Sequence, residues 1–157
     1  MSSLAEQILP PMPPTAAEAV PRAPRQQRYR ERDPLHARCR RFLQGYSGRF
    51  LTTEAVLTET LALLSVTQQI RCLHWLADAS QANLLSVDRD PPDFHQLEKL
   101  ARKYADQPMD FADASVVTLA SRLGIREILT ADRRDFAVYR LGNRSKFIDV
   151  LAEQESR

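Results

Sequence analysis

The residues of this chain best suited to chemistry are four carboxylates, Glu59, Asp110, Asp113 and Asp132, spaced so that separate elements could bring them to one point. Gathered carboxylates repel one another and hold raised pKa values unless a cation neutralises them. A divalent ion is the usual solution, and hard oxygen donors select Mg²⁺ or Mn²⁺. Such an ion can orient a water, lower its pKa and neutralise charge on a phosphodiester undergoing in-line attack. Each acid also has a plain structural reading. Asp110 and Asp113 suit the N-cap and first turn of a helix. Asp132 could open a turn, and Glu59 could be a helix glutamate whose long side chain reaches solvent.

Three elements must position these acids. Wound at about 100° per residue, positions 110–123 place Ala112, Val116, Leu119, Ala120 and Leu123 on one stripe, with Ser115, Thr118, Ser121 and Arg122 opposite. Gly124 stands where a left-handed residue would stop this helix. Ile125 to Ala131 then reads as a strand ending at Asp132, and ligands of open α/β sheets sit at the carboxyl ends of strands. Glu59 belongs to a helix from Glu54 to about Ser65, capped by Thr53. The polar arc of that helix is Glu54, Thr58 and Ser65. Glu59 lies away from it, between Ala55 and Ala62 on one side and Val56 and Leu63 on the other.

Elsewhere, Met1 to about Arg30 is proline-rich and without sustained periodicity, so it is expected to be disordered. Order is expected from Asp33-Pro34, with Leu35, Cys39, Phe42 and Leu43 as a helical stripe stopped by Gly45, then a short strand from Gly48 to Thr52. Val66 to about Ala82 reads as a helix with Ile70, Leu73, Trp75 and Leu76 as its apolar contributors, and His74 and Trp75 are assigned to packing. Leu84 to Asp88 reads as a strand, and Pro91-Pro92 opens a helix to Tyr104. Asp135 to Tyr139 makes a short turn or helix, Lys146 to Leu151 a last strand, and the tail from Glu153 is polar and frayed. Strands alternating with helices predict an α/β fold, a three-layer α/β/α sandwich on a mostly parallel sheet. The expected organisation is a disordered segment at 1–30, one domain at 31–152 and a tail at 153–157.

Composition sets the bounds. A chain of 157 residues, 43% hydrophobic and 27% charged, suits one core. The net charge of +2 says little, but Arg22, Arg25, Arg28, Arg30, Arg32, Arg38, Arg40 and Arg41 are bunched early, and a basic arm would suit a nucleic acid. Cys39 and Cys72, with His36, His74 and His95, match neither a disulfide framework nor zinc-ligand spacing. No apolar run reaches membrane-spanning length and the N-terminus lacks the apolar core of a signal peptide, so a cytoplasmic location is expected.

Asp110 to Ser115, the helix that follows, and Leu129-Thr130-Ala131-Asp132-Arg133-Arg134-Asp135-Phe136 resemble the C-terminal half of PIN-domain endoribonucleases, particularly VapC-type toxins of bacterial toxin–antitoxin pairs. Arg32-Asp33-Pro34-Leu35-His36 through Thr52-Thr53-Glu54 to Glu59 is similar to that family's first helix, second strand and second helix, and the likeness covers roughly Arg32 to Val150. The resemblance implies that Glu59, Asp113 and Asp132 are metal-site acids, that Asp110 is auxiliary and that Phe136 is a packing anchor. It further implies RNA cleavage with Mg²⁺ or Mn²⁺, a homodimer, and silencing by a small antitoxin.

One departure stands out. The family opens with an apolar strand ending in an aspartate, where this chain has Ala17-Glu18-Ala19-Val20-Pro21-Arg22, and prolines oppose a central strand. Neither Glu18 nor Glu31 follows a credible strand. The readings this leaves are a ribonuclease impaired by the missing acid, an inactive module that still binds antitoxin or RNA, and an N-terminal segment read from a shifted frame. A Mg²⁺-dependent phosphoryl-transfer domain on a receiver-like sheet also uses acids at strand ends, but normally after the first strand, which is lacking. Arg133 and Arg134, beside Asp132, are candidates for phosphate contact, with a solvated pair as the alternative.

Overall fold

The computed structural model describes residues 34–153 apart from 108, 131 and 143. Its elements run α1 (Pro34–Gly45), β1 (Phe50–Thr53), α2 (Glu54–Leu63), α3 (Val66–Gln81), β2 (Leu85–Asp88), α4 (Phe94–Lys103), α5 (Phe111–Leu123), β3 (Glu127–Ile128), α6 (Arg133–Val138), β4 (Ile148–Asp149) and α7 (Val150–Glu153). The expected disorder of residues 1–30, the helix start at Asp33, and Glu18 and Glu31 lie outside the described residues.

Short polar side chains set where most helices begin. Thr53 accepts from Val56 N–H at 3.3 Å, Asp93 from Gln96 at 3.0 Å, Asp110 from Asp113 at 2.8 Å and Asp132 from Asp135 at 3.2 Å. Each satisfies one of the orphan amides of a first helical turn. Asp93, rather than the Pro91-Pro92 pair, therefore starts α4. Gly124, at φ 68° and ψ 21°, ends α5 in the left-handed region, where a side chain would be strained.

The strands form two parallel pairs. Phe50 to Thr53 lie opposite Leu85 to Asp88, and Glu127-Ile128 opposite Ile148-Asp149. β3 and β4 are shorter than the sequence suggests, because polar side chains turn the chain early. Thr130 Oγ1 accepts from Asp132 N–H at 3.0 Å and so bends the chain toward α6. Asp149 Oδ1 accepts from Leu151 N–H at 3.0 Å, which winds Val150 and Leu151 into α7. Parallel pairing requires crossovers, and α2 with α3 supplies one while α6 lies within the other.

The core forms around α5. Its Ala114 and Val117 pack with Leu97, Leu100 and Tyr104 of the α4 region and with Ile128, Phe136 and Tyr139. A second cluster joins Cys39 and Phe42 of α1 to Leu129 and Leu151, with Phe50 of β1 packed against it. Because α5 packs against α2, α4 and β1, burial reaches well beyond a single stripe. Its buried positions are Ala112, Ala114, Val117, Leu119 and Ala120, which span more than half the circumference. Ser115 and Thr118 are half-buried instead of facing solvent, and Leu123 is exposed.

α3 turns a different face inward from the one expected. Cys72 and Ala79 are buried, Trp75 and Leu76 are half-buried, and Ile70 and Leu73 are 63% and 52% exposed. His74 is exposed and pairs with Asp78 at 3.4 Å, so it does not pack. Among the described residues no helix is long and apolar enough to cross a membrane.

Thr53 both caps α2 and meets Ser115 of α5, Oγ to Oγ, at 2.7 Å. Thr53→Ala is expected to lower unfolding free energy by about 1–2 kcal/mol, measured by urea denaturation, whereas Thr53→Ser, which keeps the hydroxyl, should recover most of the loss.

Candidate active site

Asp113 occupies the first turn of α5, where the aligned amides favour negative charge. Its backbone N–H is held by Asp110 Oδ1, which places the two carboxylates on the same turn. Two residues on, the contact between Ser115 and Thr53 fixes this turn to the C-terminal end of β1, and Ser115 Oγ also donates to the Ala112 carbonyl at 2.7 Å. From the other side come the residues after β3. Thr130 is fully buried and holds the Asp132 amide, while Asp132 Oδ1 caps α6 by accepting from Asp135. α6 then delivers Tyr139, 1% exposed, whose hydroxyl donates to Asp113 Oδ2 at 3.1 Å. The ring of Tyr139 is fixed edge-on against Tyr104 and Phe136, with centroids at 5.1 and 5.3 Å.

The electrostatics follow from this placement. Burial, with the neighbouring charge of Asp110, pushes the Asp113 carboxyl up to about 7. The Tyr139 hydrogen bond works against that rise, and the charges of Asp132 and Asp135 add to it. Tyr139 is itself driven well above the ordinary phenol range, first by burial and then by the Asp113 charge. The structure thus brings Asp110, Asp113 and Asp132 into one field.

Glu59 stands apart from that field. It is half-buried on α2, a helix packed against α5, but it is not among the groups that act on Asp113. Asp88, at the end of β2, is engaged at 2.7 Å by Arg122, which also pairs with Asp90. Arg133 pairs with Asp149 at 2.8 Å, and Arg134 is exposed. Sequence reasoning did not single out Asp135 or Tyr139 for the site. A buried tyrosine hydroxyl needs a partner, which is the only signal that could have pointed to Tyr139.

The donors suit a hard divalent cation in kind, since Asp113 stands beside like charges and, among the described residues, no cation is among the groups that shift it. Their spacing is open. Among the described residues no three His, Cys, Asp or Glu side chains converge to enclose an ion. Mg²⁺ retains several waters and takes only one or two carboxylates directly, so an open arrangement is compatible with it.

A family model describing the PIN domain matches residues 28–141. The chain belongs to the PIN-domain family. The α/β fold with parallel strands agrees with that membership, and the Asp113 cluster lies within the matched region of the PIN domain. The chain is also similar to Ribonuclease VapC26 of Mycobacterium tuberculosis (strain ATCC 25618 / H37Rv), with 44% identity over 48 residues, which is 31% of this chain and 36% of that relative.

The raised Asp113 carboxyl gives this PIN domain a testable pH dependence. Below about pH 4 the group is protonated in both folded and unfolded chains and contributes nothing. Between about 4 and 7 the unfolded chain ionises while the folded one keeps its proton, so stability falls as pH rises and levels off above 7. Asp113→Asn in EDTA should flatten that slope and stabilise the protein at pH 8 by on the order of 1–2 kcal/mol at this partly solvated site, measured by denaturation at pH 4.5 and 8.

Proposed function

We propose that this chain is a metal-dependent endoribonuclease acting as the toxin of a toxin–antitoxin pair in the cytoplasm, with Mg²⁺ or Mn²⁺ held by Asp113, Asp132, Glu59 and Asp110. The observation that carries the reading is the gathering of Asp110 and Asp132 around the raised Asp113 carboxyl in a PIN domain. The short match to a protein named as a ribonuclease supports RNA as the substrate. In this reading Asp113 is the direct ligand. Asp110 and Asp132 each spend Oδ1 on a helix cap and offer the other oxygen to the ion or to its waters. Glu59 is assigned to this set by the family resemblance, on a helix that packs against α5. When bound, the ion supplies an activated water and offsets charge on the phosphodiester. The exposed Arg134, two residues beyond the cap, suits a phosphate oxygen of the same strand.

A second reading is an inactive module that binds antitoxin or RNA without cutting. It is favoured by the open spacing of the acids. Cleavage of a pool of structured RNAs with Mg²⁺ or Mn²⁺, against EDTA and against Asp113→Asn combined with Asp132→Asn, separates the two. The expected result is metal-dependent cutting that falls by more than about 100-fold in the double variant, the upper end of what loss of an outer-shell partner alone costs. No cutting by a folded sample would overturn the nuclease reading in favour of the module.

The homodimer belongs to the same proposal. Val66, Ile70 and Leu73 form one row on α3 at spacings of four and three, all exposed, with Leu63 exposed just before them. A row of this kind is the natural seam between two copies. Ile70→Glu is expected to convert the protein to a monomer in sedimentation experiments while leaving its thermal transition in place.

A further inference from the structure

Ile128 of β3 stands opposite Asp149 of β4, and Thr130 and Phe147, each two residues along its own segment, line the same side. α6 covers that side with Arg133, Phe136 and Ala137, yet a cavity of about 190 Å³ lies between helix and strands. Protein interiors hold few voids larger than one water molecule. The volume is below the roughly 300–1,000 Å³ of pockets for drug-sized ligands and suits a single ring system.

The walls are those of a binding pocket. Phe136 and Phe147 meet edge-on with centroids at 5.5 Å, and Phe147 is half-buried. Arg133 and Ala137, the exposed lining residues, mark where the cavity opens. Asp149, 17% exposed, gives Oδ1 to the Leu151 amide and stands with Oδ2 2.8 Å from Arg133 Nε, which holds the guanidinium plane in place at the opening. The pocket adjoins the acids, because Thr130 in its wall accepts from the Asp132 amide and Arg133 follows Asp132 directly.

We propose that this pocket receives one nucleobase of a single-stranded RNA, from the nucleotide next to the phosphate at Asp113 and Asp132, and so sets base preference. The proposal rests on the RNA-cleaving reading given above. Splayed bases of single strands stack on aromatic rings and on arginine planes, and the pocket offers both, in Phe147 and Arg133. Because Asp149 offsets the charge of Arg133, the pocket suits an uncharged base, and the phosphate is left to the exposed Arg134 outside it.

Binding of the four ribonucleoside 5′-monophosphates to the full chain in EDTA, followed by amide chemical shifts, tests this without metal or turnover. Ribose 5-phosphate serves as the probe that lacks a base. The expected result is saturable shifts at Ala137, Phe147 and Ala152, with affinities that differ among the four bases, and none with ribose 5-phosphate. Ala137→Leu, which fills the cavity from an exposed helix position, should weaken binding by about 10-fold, within the range set by loss of one base stack. Ala152→Leu should do the same from α7. Nucleotide affinity equal to that of ribose 5-phosphate, or unaltered in both filled variants with their thermal transitions intact, would overturn the pocket. The nuclease reading would survive that failure if the same sample cuts RNA with Mg²⁺ or Mn²⁺. Base-dependent binding by a chain that cuts no RNA would uphold the pocket and overturn the nuclease.

Discussion

The constraint on which the site rests is a half-buried carboxylate held next to other carboxylates. Asp113 can stand where it does because α5 is enclosed by α2, α4 and β1, so its first turn cannot move outward to relieve the repulsion. Two favourable terms oppose the cost. One is the dipole of α5, positive at the end where Asp113 sits, and the other is the Tyr139 hydroxyl. Neither cancels burial, and the carboxyl remains poised near neutrality. A group held in that condition at a helix start, beside the ends of two strands, is a functional candidate because the fold spends stability to keep it there.

The two strand pairs contribute to the site mainly through their ends. β1 supplies Thr53, which anchors the α5 turn through Ser115, and β3 leads into Thr130 and Asp132. Neither pair would be stable alone, since two short strands bury too little surface. The helices hold them together. α5 contributes to the cluster that includes Ile128 and also contacts β1, while α1 packs with both Phe50 and Leu129. Displacing α5 would therefore loosen the sheet pairs and disperse the acids in one event, which ties the integrity of the site to the central packing of the domain.

Local chemistry was legible in the sequence wherever one residue decided the outcome. Gly124 stopped α5 and Thr53 capped α2, because a left-handed turn and an orphan amide each select a residue type. Periodicity read less well. On α5 it identified one stripe where the helix is enclosed over most of its surface, and on α3 it named Ile70 and Leu73 among the apolar contributors, though the buried residues are Cys72 and Ala79. Apolar spacing states which residues can share a face, not which face finds a partner. The last strands failed for another reason. Asp149 and Thr130 bond the backbone two residues ahead and turn the chain, a competition that β-propensity does not register. In the site, the placement of Asp110 and Asp113 at one helix start and of Asp132 after β3 followed from helix and strand order. Tyr139 did not, since its contact with Asp113 spans 26 positions and depends on how α6 packs.

The sequence posed a choice for the acids, between ordinary helix caps and a functional cluster, and the geometry removes the opposition. A cap uses one oxygen. Asp110 gives Oδ1 to the Asp113 amide and Asp132 gives Oδ1 to the Asp135 amide, so each carboxylate is oriented by the helix it starts and keeps its second oxygen. The cap is then the device that positions the charge. A side chain held by a backbone amide loses the rotamer freedom that would otherwise let it swing away from its neighbours. The same logic reaches Asp113, whose Oδ2 is held by Tyr139 rather than by an amide. Three carboxylates, each held at one oxygen, keep part of their repulsion in the folded state, where it adds to the burial that raises the Asp113 carboxyl.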